Sequence, residues 1–170
     1  MEAVAAKAEK SVKGSGEGRG RESVAKETRH DTPDTHSHLV RPADMEWKKT
    51  RFAGCEVKGL LLDKETGLVT ALMRFAPGAV LPDHAHVRIE QTYVIEGKLV
   101  DKEGAAAGFS VGPGEFVWRE AGSRHVAWTP EGGLMLAMFQ IPNKFFEKDG
   151  RVTDISGTDW DELWGNIFKE

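Results

Sequence analysis

Between about residues 54 and 141, short apolar runs alternate with turn residues at intervals of roughly ten positions, the rhythm of an all-β sandwich or barrel. That rhythm predicts strands over 57–62, 68–75, 91–95, 98–101, 107–110, 115–118, 125–128 and 134–141, enough for the two sheets of a single jelly roll. The first two are divided by Asp63-Lys64-Glu65-Thr66-Gly67, a good hairpin loop. Near the C-terminus the period changes. Trp160, Leu163, Trp164, Ile167 and Phe168 recur at helical spacing, which predicts a short α-helix over about 158–168. Thr158 is its expected N-cap, with Asp159, Asp161 and Glu162 in the first turn. Its apolar stripe serves either to dock on the barrel wall or to meet a second copy of the chain.

The first 38 residues break the pattern. They contain no Phe, Trp, Tyr, Leu or Ile and are crowded with Gly, Ser, Lys and Glu, so they cannot bury enough apolar surface to offset chain entropy. A flexible, disordered tail over 1–38 followed by one domain over 39–170 is the expected organisation. Its seven acids and seven bases cancel, leaving the chain's net charge of −4 to the remainder. The mild acidity argues against a nucleic-acid partner, which would need a basic face. No apolar run approaches a membrane span, and no leader-like apolar segment follows the N-terminus. The single cysteine, Cys55, excludes an internal disulfide and a multi-cysteine zinc site, and is most simply a small buried hydrophobe. These features together predict a soluble cytoplasmic protein.

Chemistry concentrates in two segments. In the first, an extended backbone would put His84 and His86 on one side, close enough to grip one ion. Glu90 lies four residues on and can return to that side if the strand resumes after a turn at 87–89. The second segment runs from Gly114 through Gly122 to His125 and supplies another imidazole. The remaining histidines, His30, His36 and His38, fall in the tail, where a solvated polar segment is the expected reading. Two nitrogens and an oxygen suit Fe(II), Mn(II), Ni(II), Co(II) or Zn(II), with coordination positions left open.

These segments identify the chain as resembling a cupin of the RmlC-like superfamily. The family's first motif, G-x5-H-x-H-x3-E-x6-G, is matched by Gly78, His84, His86, Glu90 and Gly97. The second, G-x5-P-x-G-x2-H-x3-N, is matched at Gly114, Gly122 and His125 but has Glu120 and Thr129 at its proline and asparagine positions. The resemblance implies a small β-barrel holding one divalent metal, Fe(II) favoured, through His84, His86, Glu90 and His125, often as a homodimer. More narrowly, the chain is similar to the group containing the ChrR anti-sigma cupin domain and the diketone-cleaving dioxygenases.

An ion held by four protein ligands keeps two adjacent positions for a small oxygenated substrate and O2. A dioxygenase-type oxidoreductase is therefore the expected function, with Glu90 either a lasting ligand or a base. A metal-bearing sensor or binding module and a non-redox lyase or isomerase are the alternatives. Met73, Phe75, Thr92, Phe116, Trp118, Arg124 and Met138 are the expected substrate-binding residues, with Ala127 a further lining candidate. Arg74 and Arg124 are candidate carboxylate anchors.

Overall fold

The computed structural model describes residues 29–32, 36–141 and 143–154. It is built of β1 (Arg29–Thr32), β2 (Ser37–Val40), β3 (Lys48–Lys49), β4 (Cys55–Asp63), β5 (Leu68–Phe75), β6 (Ala79–His86) and β7 (Glu90–Gly97). There follow β8 (Leu99–Asp101), β9 (Ser110–Val111), β10 (Phe116–Arg119), β11 (Arg124–Thr129), β12 (Gly133–Gln140), β13 (Asn143–Phe146) and β14 (Val152–Asp154). Among the described residues a 3-10 turn spans Pro42–Asp44. The helix expected over 158–168 lies outside the described residues.

Two six-stranded sheets enclose the core, in the orders β10-β7-β12-β5-β4-β3 and β14-β13-β6-β11-β8-β9. Every pairing within them is antiparallel. This is the expected jelly roll. The hairpin between β4 and β5 closes at the anticipated loop, where Asp63 accepts hydrogen bonds from the Glu65 amide (2.9 Å) and the Thr66 hydroxyl (2.6 Å). A local carboxylate thus holds the turn.

Alternation decides what faces inward. Val69, Ala71, Met73 and Phe75 of β5, Val94 of β7, and Met135, Ala137 and Phe139 of β12 are all buried. Strands β13 and β14 extend one sheet past residue 141 and β3 borders the other, all beyond the sequence expectation, while β6 is the extended segment expected to carry His84 and His86. In addition β1 and β2 form a two-stranded ribbon that begins in the segment read as tail and runs past its expected end at residue 38 to Val40. The strand expected over 107–110 begins later, at Ser110, because Ala107 and Phe109 donate their amides back to Gly104 and Ala106 in tight turns. Cys55 is buried, and burial pushes its thiol up to about 12, which makes it inert as a nucleophile at neutral pH.

One glycine contact fixes how β7 leaves its sheet. Gly97 has φ +73°, and a Cβ there would lie 2.0 Å from the Gly132 carbonyl oxygen and 2.6 Å from the Gly133 Cα. Gly78 has a similar φ of +80° with open space around it. The first is constrained by both backbone conformation and packing, the second by conformation alone. Gly97→Ala is therefore expected to cost more than about 3 kcal/mol and Gly78→Ala about 1–2 kcal/mol. Urea denaturation of the two variants checks this, and equal losses would contradict it.

Candidate metal centre

The site begins with an irregularity in β6. Its partner β11 pairs His125 with His84 but Ala127 with Leu81, so two steps along β11 span three along β6. The extra residue forms a β-bulge at Pro82-Asp83, where a proline needs no ladder donor. The bulge reverses the phase of the strand. Ala79 is buried before it, His84 and His86 after it, and Asp83 is turned outward. A bend at 87–88, where a turn was expected over 87–89, then carries the chain into the opposite sheet, whose strand β7 begins at Glu90.

The three imidazoles are buried together, and each offers a ring nitrogen within 4.8 Å of the others. His84 lies between His125 and Phe145 on the neighbouring strands, its ring stacked on Phe145 with centroids 5.1 Å apart. His84 Nδ1 is 2.8 Å from the Pro82 carbonyl oxygen, which can only accept, so this nitrogen carries the ring proton. His125 Nδ1 likewise donates to Asp101 Oδ1 at 2.6 Å. Both rings therefore turn Nε2 lone pairs toward the interior, the tautomer a metal-binding imidazole needs.

His86 completes the group. Its Nε2 lies 3.2 Å from His125 Nε2 and 3.0 Å from Glu90 Oε2, while its buried Nδ1 has no hydrogen-bond partner. Glu90 Oε2 is also 3.9 Å from His125 Nε2. Lone pairs and a carboxylate oxygen converge on one small space. The donor set fits a first-row divalent ion, with His84, His86 and His125 as nitrogen ligands and Glu90 at the margin.

Buried charge frames the group. Burial, reinforced by the neighbouring His125 and His86, pushes His84 down to about 3, so it is neutral at physiological pH. Burial acts to raise the Glu90 carboxyl, but the hydrogen bond from His86 and the positive charge of Arg119 prevail and hold it at about 2. Asp101 is also held below its ordinary range: burial opposes ionisation, and His125 and Arg119 overcome it. Arg119, only 9% exposed, reaches Glu90 Oε2 at 3.3 Å and Asp101 Oδ1 at 3.0 Å.

Of the residues expected to line the site, Met73, Phe75, Thr92 and Ala127 face the cavity beside His84 and His125, together with Met135 and Ala137. Its free volume is about 20 Å³, room for one water-sized ligand. Five expectations need correction. Phe116 and Trp118 are 51% and 56% exposed on the outer face, because β10 turns Val117 and Arg119 inward. Met138 is likewise outward, since Ala137 and Phe139 take the inward positions of β12. Arg124 lies outside the barrel, paired through two nitrogens with Asp83 at 2.8 and 2.5 Å and stacked 3.6 Å from the Phe146 ring centre. Arg74 is also exposed, paired with Glu56 and packed over Trp47, so neither arginine anchors a ligand at this site.

Asp101 and Arg119 were missed by sequence reasoning. The inward phase of β10 is the only signal that could have found Arg119, and it becomes visible only once Val117 is known to be buried.

The sequence of residues 35–144 matches the family of ChrR cupin-like domains. No curated protein matches the chain. Among solved structures it is similar to a candidate acetylacetone dioxygenase of Methylibium petroleiphilum PM1, at 24% identity and a TM-score of 0.66 over 77% of this chain and 94% of that one. An acetylacetone dioxygenase of Acinetobacter johnsonii aligns at 17% identity and a TM-score of 0.59 over 92% and 97% of the two chains. An RmlC-like cupin of Ralstonia eutropha JMP134 aligns at 18% identity and a TM-score of 0.61 over 74% and 83%. At these identities the structures share the fold. No helix among the described residues is long and apolar enough to cross a membrane.

The neutral His84 ring sets an acid limit on the metal-free protein. Between pH 6.5 and about 3 the unfolded chain binds a proton that the folded chain refuses, so stability is intact above 6.5 and falls as pH drops through that window. Glu90, held near 2 against an ordinary 4.5, adds a loss of the same sign at lower pH. Denaturation at stepped pH is expected to show this acid-side slope, flattened above pH 4.5 in His84→Gln. An unchanged slope in that variant would contradict the assignment.

Proposed function

This chain belongs to the family of ChrR cupin-like domains, and on that premise we propose that it is a metal-dependent oxygenase acting on a small oxygenated organic substrate. The observation that carries the reading is the convergence of three buried imidazoles, two with Nε2 lone pairs turned inward by Nδ1 hydrogen bonds, beside an apolar cavity. His84, His86 and His125 would hold the ion, with Glu90 as a carboxylate ligand. A bound divalent ion supplies Lewis acidity and, when it is Fe(II), the electrons for O2 activation.

The chain's own residues supply confinement and orientation. Met73, Phe75, Met135 and Ala137 keep water from the reacting groups. Thr92 places the lining's one aliphatic hydroxyl in the cavity, where it can donate to an enolate or carbonyl oxygen. Glu90 is paired with Arg119 and His86, an arrangement that suits a lasting anionic ligand better than a base that must swing between partners. The names of the two similar dioxygenases put acetylacetone first among β-diketones to try, and the cavity, with room for one water-sized ligand, would have to open to admit it.

A second reading, a metal-bearing sensor or binding module, is favoured by the family match itself. In that case the loaded protein would consume no oxygen and would co-purify with a specific protein partner.

Oxygen uptake by the Fe(II)-loaded protein, offered acetylacetone and related diketones, aromatic diols and thiols, tests the oxygenase. Uptake is expected with one class, and is expected to disappear in His86→Ala together with the iron. Thr92→Val should lower kcat/KM roughly tenfold, the worth of one hydrogen bond to a developing charge. Silence across the panel at full iron occupancy would overturn the oxygenase reading.

A further inference from the structure

Behind the three histidines two of the proposed ligands, Glu90 and His125, are joined by a buried ionic chain through Arg119 and Asp101, neither of which is itself a proposed ligand. Arg119 Nη1 donates to Glu90 Oε2 and its Nη2 to Asp101 Oδ1, and the same Asp101 oxygen accepts the Nδ1 proton of His125. Arg119 stands directly opposite Glu90 in the ladder between β10 and β7. Asp101 and His125 belong to β8 and β11 of the other sheet. A single guanidinium therefore ties a carboxylate on one wall of the barrel to an imidazole on the other.

We propose that Arg119 is a positioning residue, which fixes Glu90 directly and His125 through Asp101 in the orientations that let both face a shared cation. This rests on the reading of the site as a metal centre. The chemistry of the side chain supports it. A planar fork presents two donors at a set separation, so one arginine can hold two carboxylates in fixed relative positions, which a lysine ammonium cannot do. Without a cation between them, Glu90 and Asp101 would be two buried negative charges on facing sheets, an arrangement that favours displacement or protonation of one of them. The Asp101 hydrogen bond also fixes the His125 tautomer, and Arg119 in turn fixes Asp101. The same requirement accounts for a charged residue at an inward position of β10, following the buried Val117 on that face.

Co(II) binding measured by competition with a chelator tests the assignment through double-mutant cycles. Arg119→Gln alone is expected to weaken Co(II) binding roughly 10–100-fold. In a Glu90→Gln or an Asp101→Asn background, the same substitution should weaken binding distinctly less, because its partner is already gone. Arg119→Lys keeps the charge and loses the fork. It should still fold, yet shift the visible absorption of the Co(II) protein and weaken binding, and it decides the matter if Arg119→Gln does not fold. An Arg119→Gln effect of equal size in all backgrounds overturns the inference, as does an Arg119→Lys protein with wild-type affinity and spectrum. Failure of the wild-type chain to bind Co(II) would remove the metal centre itself and this inference with it. Tight wild-type binding without coupling would remove the inference alone.

Discussion

The centre depends on one extra residue in one strand. Before the bulge at Pro82-Asp83 the odd-numbered positions of β6 face the core, and after it the even-numbered ones do. A regular β6 would aim Asp83 and Ala85 into the barrel and present both histidines to solvent, since a one-residue slip exchanges every side chain between faces. The bulge also brings the Pro82 carbonyl to the Nδ1 proton of His84, so the kink that turns the ring inward also sets its tautomer. Outside the barrel the displaced Asp83 is paired with Arg124, which caps the irregularity with a two-point ion pair.

From that phase the spacing between the histidines and the acid acquires a structural meaning. His86 ends one strand and Glu90 begins another in the facing sheet, with only residues 87–89 between them. The carboxylate therefore approaches the imidazoles from across the barrel rather than from beside them. His125 comes from the strand adjacent to β6 and stands opposite His84, so the nitrogen donors lie on one wall and the oxygen donor on the other. A cation bound by both walls would join the two sheets.

Residue types and turns made most of this legible. The hairpin at 63–67, the turn at 87–89 and the inward Met73, Phe75 and Thr92 follow from alternation and turn chemistry, which depend on local sequence. Phase in the short strands did not. In β10 the apolar positions are Phe116, Val117 and Trp118, so either face could be read as inner, and the largest side chains lie outside while Val117 and Arg119 are buried. A buried arginine is uncommon enough that sequence reasoning assigns it to solvent. Asp101 is hidden for the same reason. Its burial makes sense only beside His125 and Arg119, which lie 24 and 18 residues away along the chain.

The two inner walls also differ electrostatically, and the difference bears on what the site can accept. One contributes Glu90 and Arg119, a carboxylate and a guanidinium in direct contact, while the other contributes His84, His86, His125 and the anionic Asp101. With His84 neutral and both carboxylates held ionised, one guanidinium faces two buried negative charges. Burying such a charge is costly unless a counterion shares the space. A divalent cation held by the three imidazoles and Glu90 would be such a counterion.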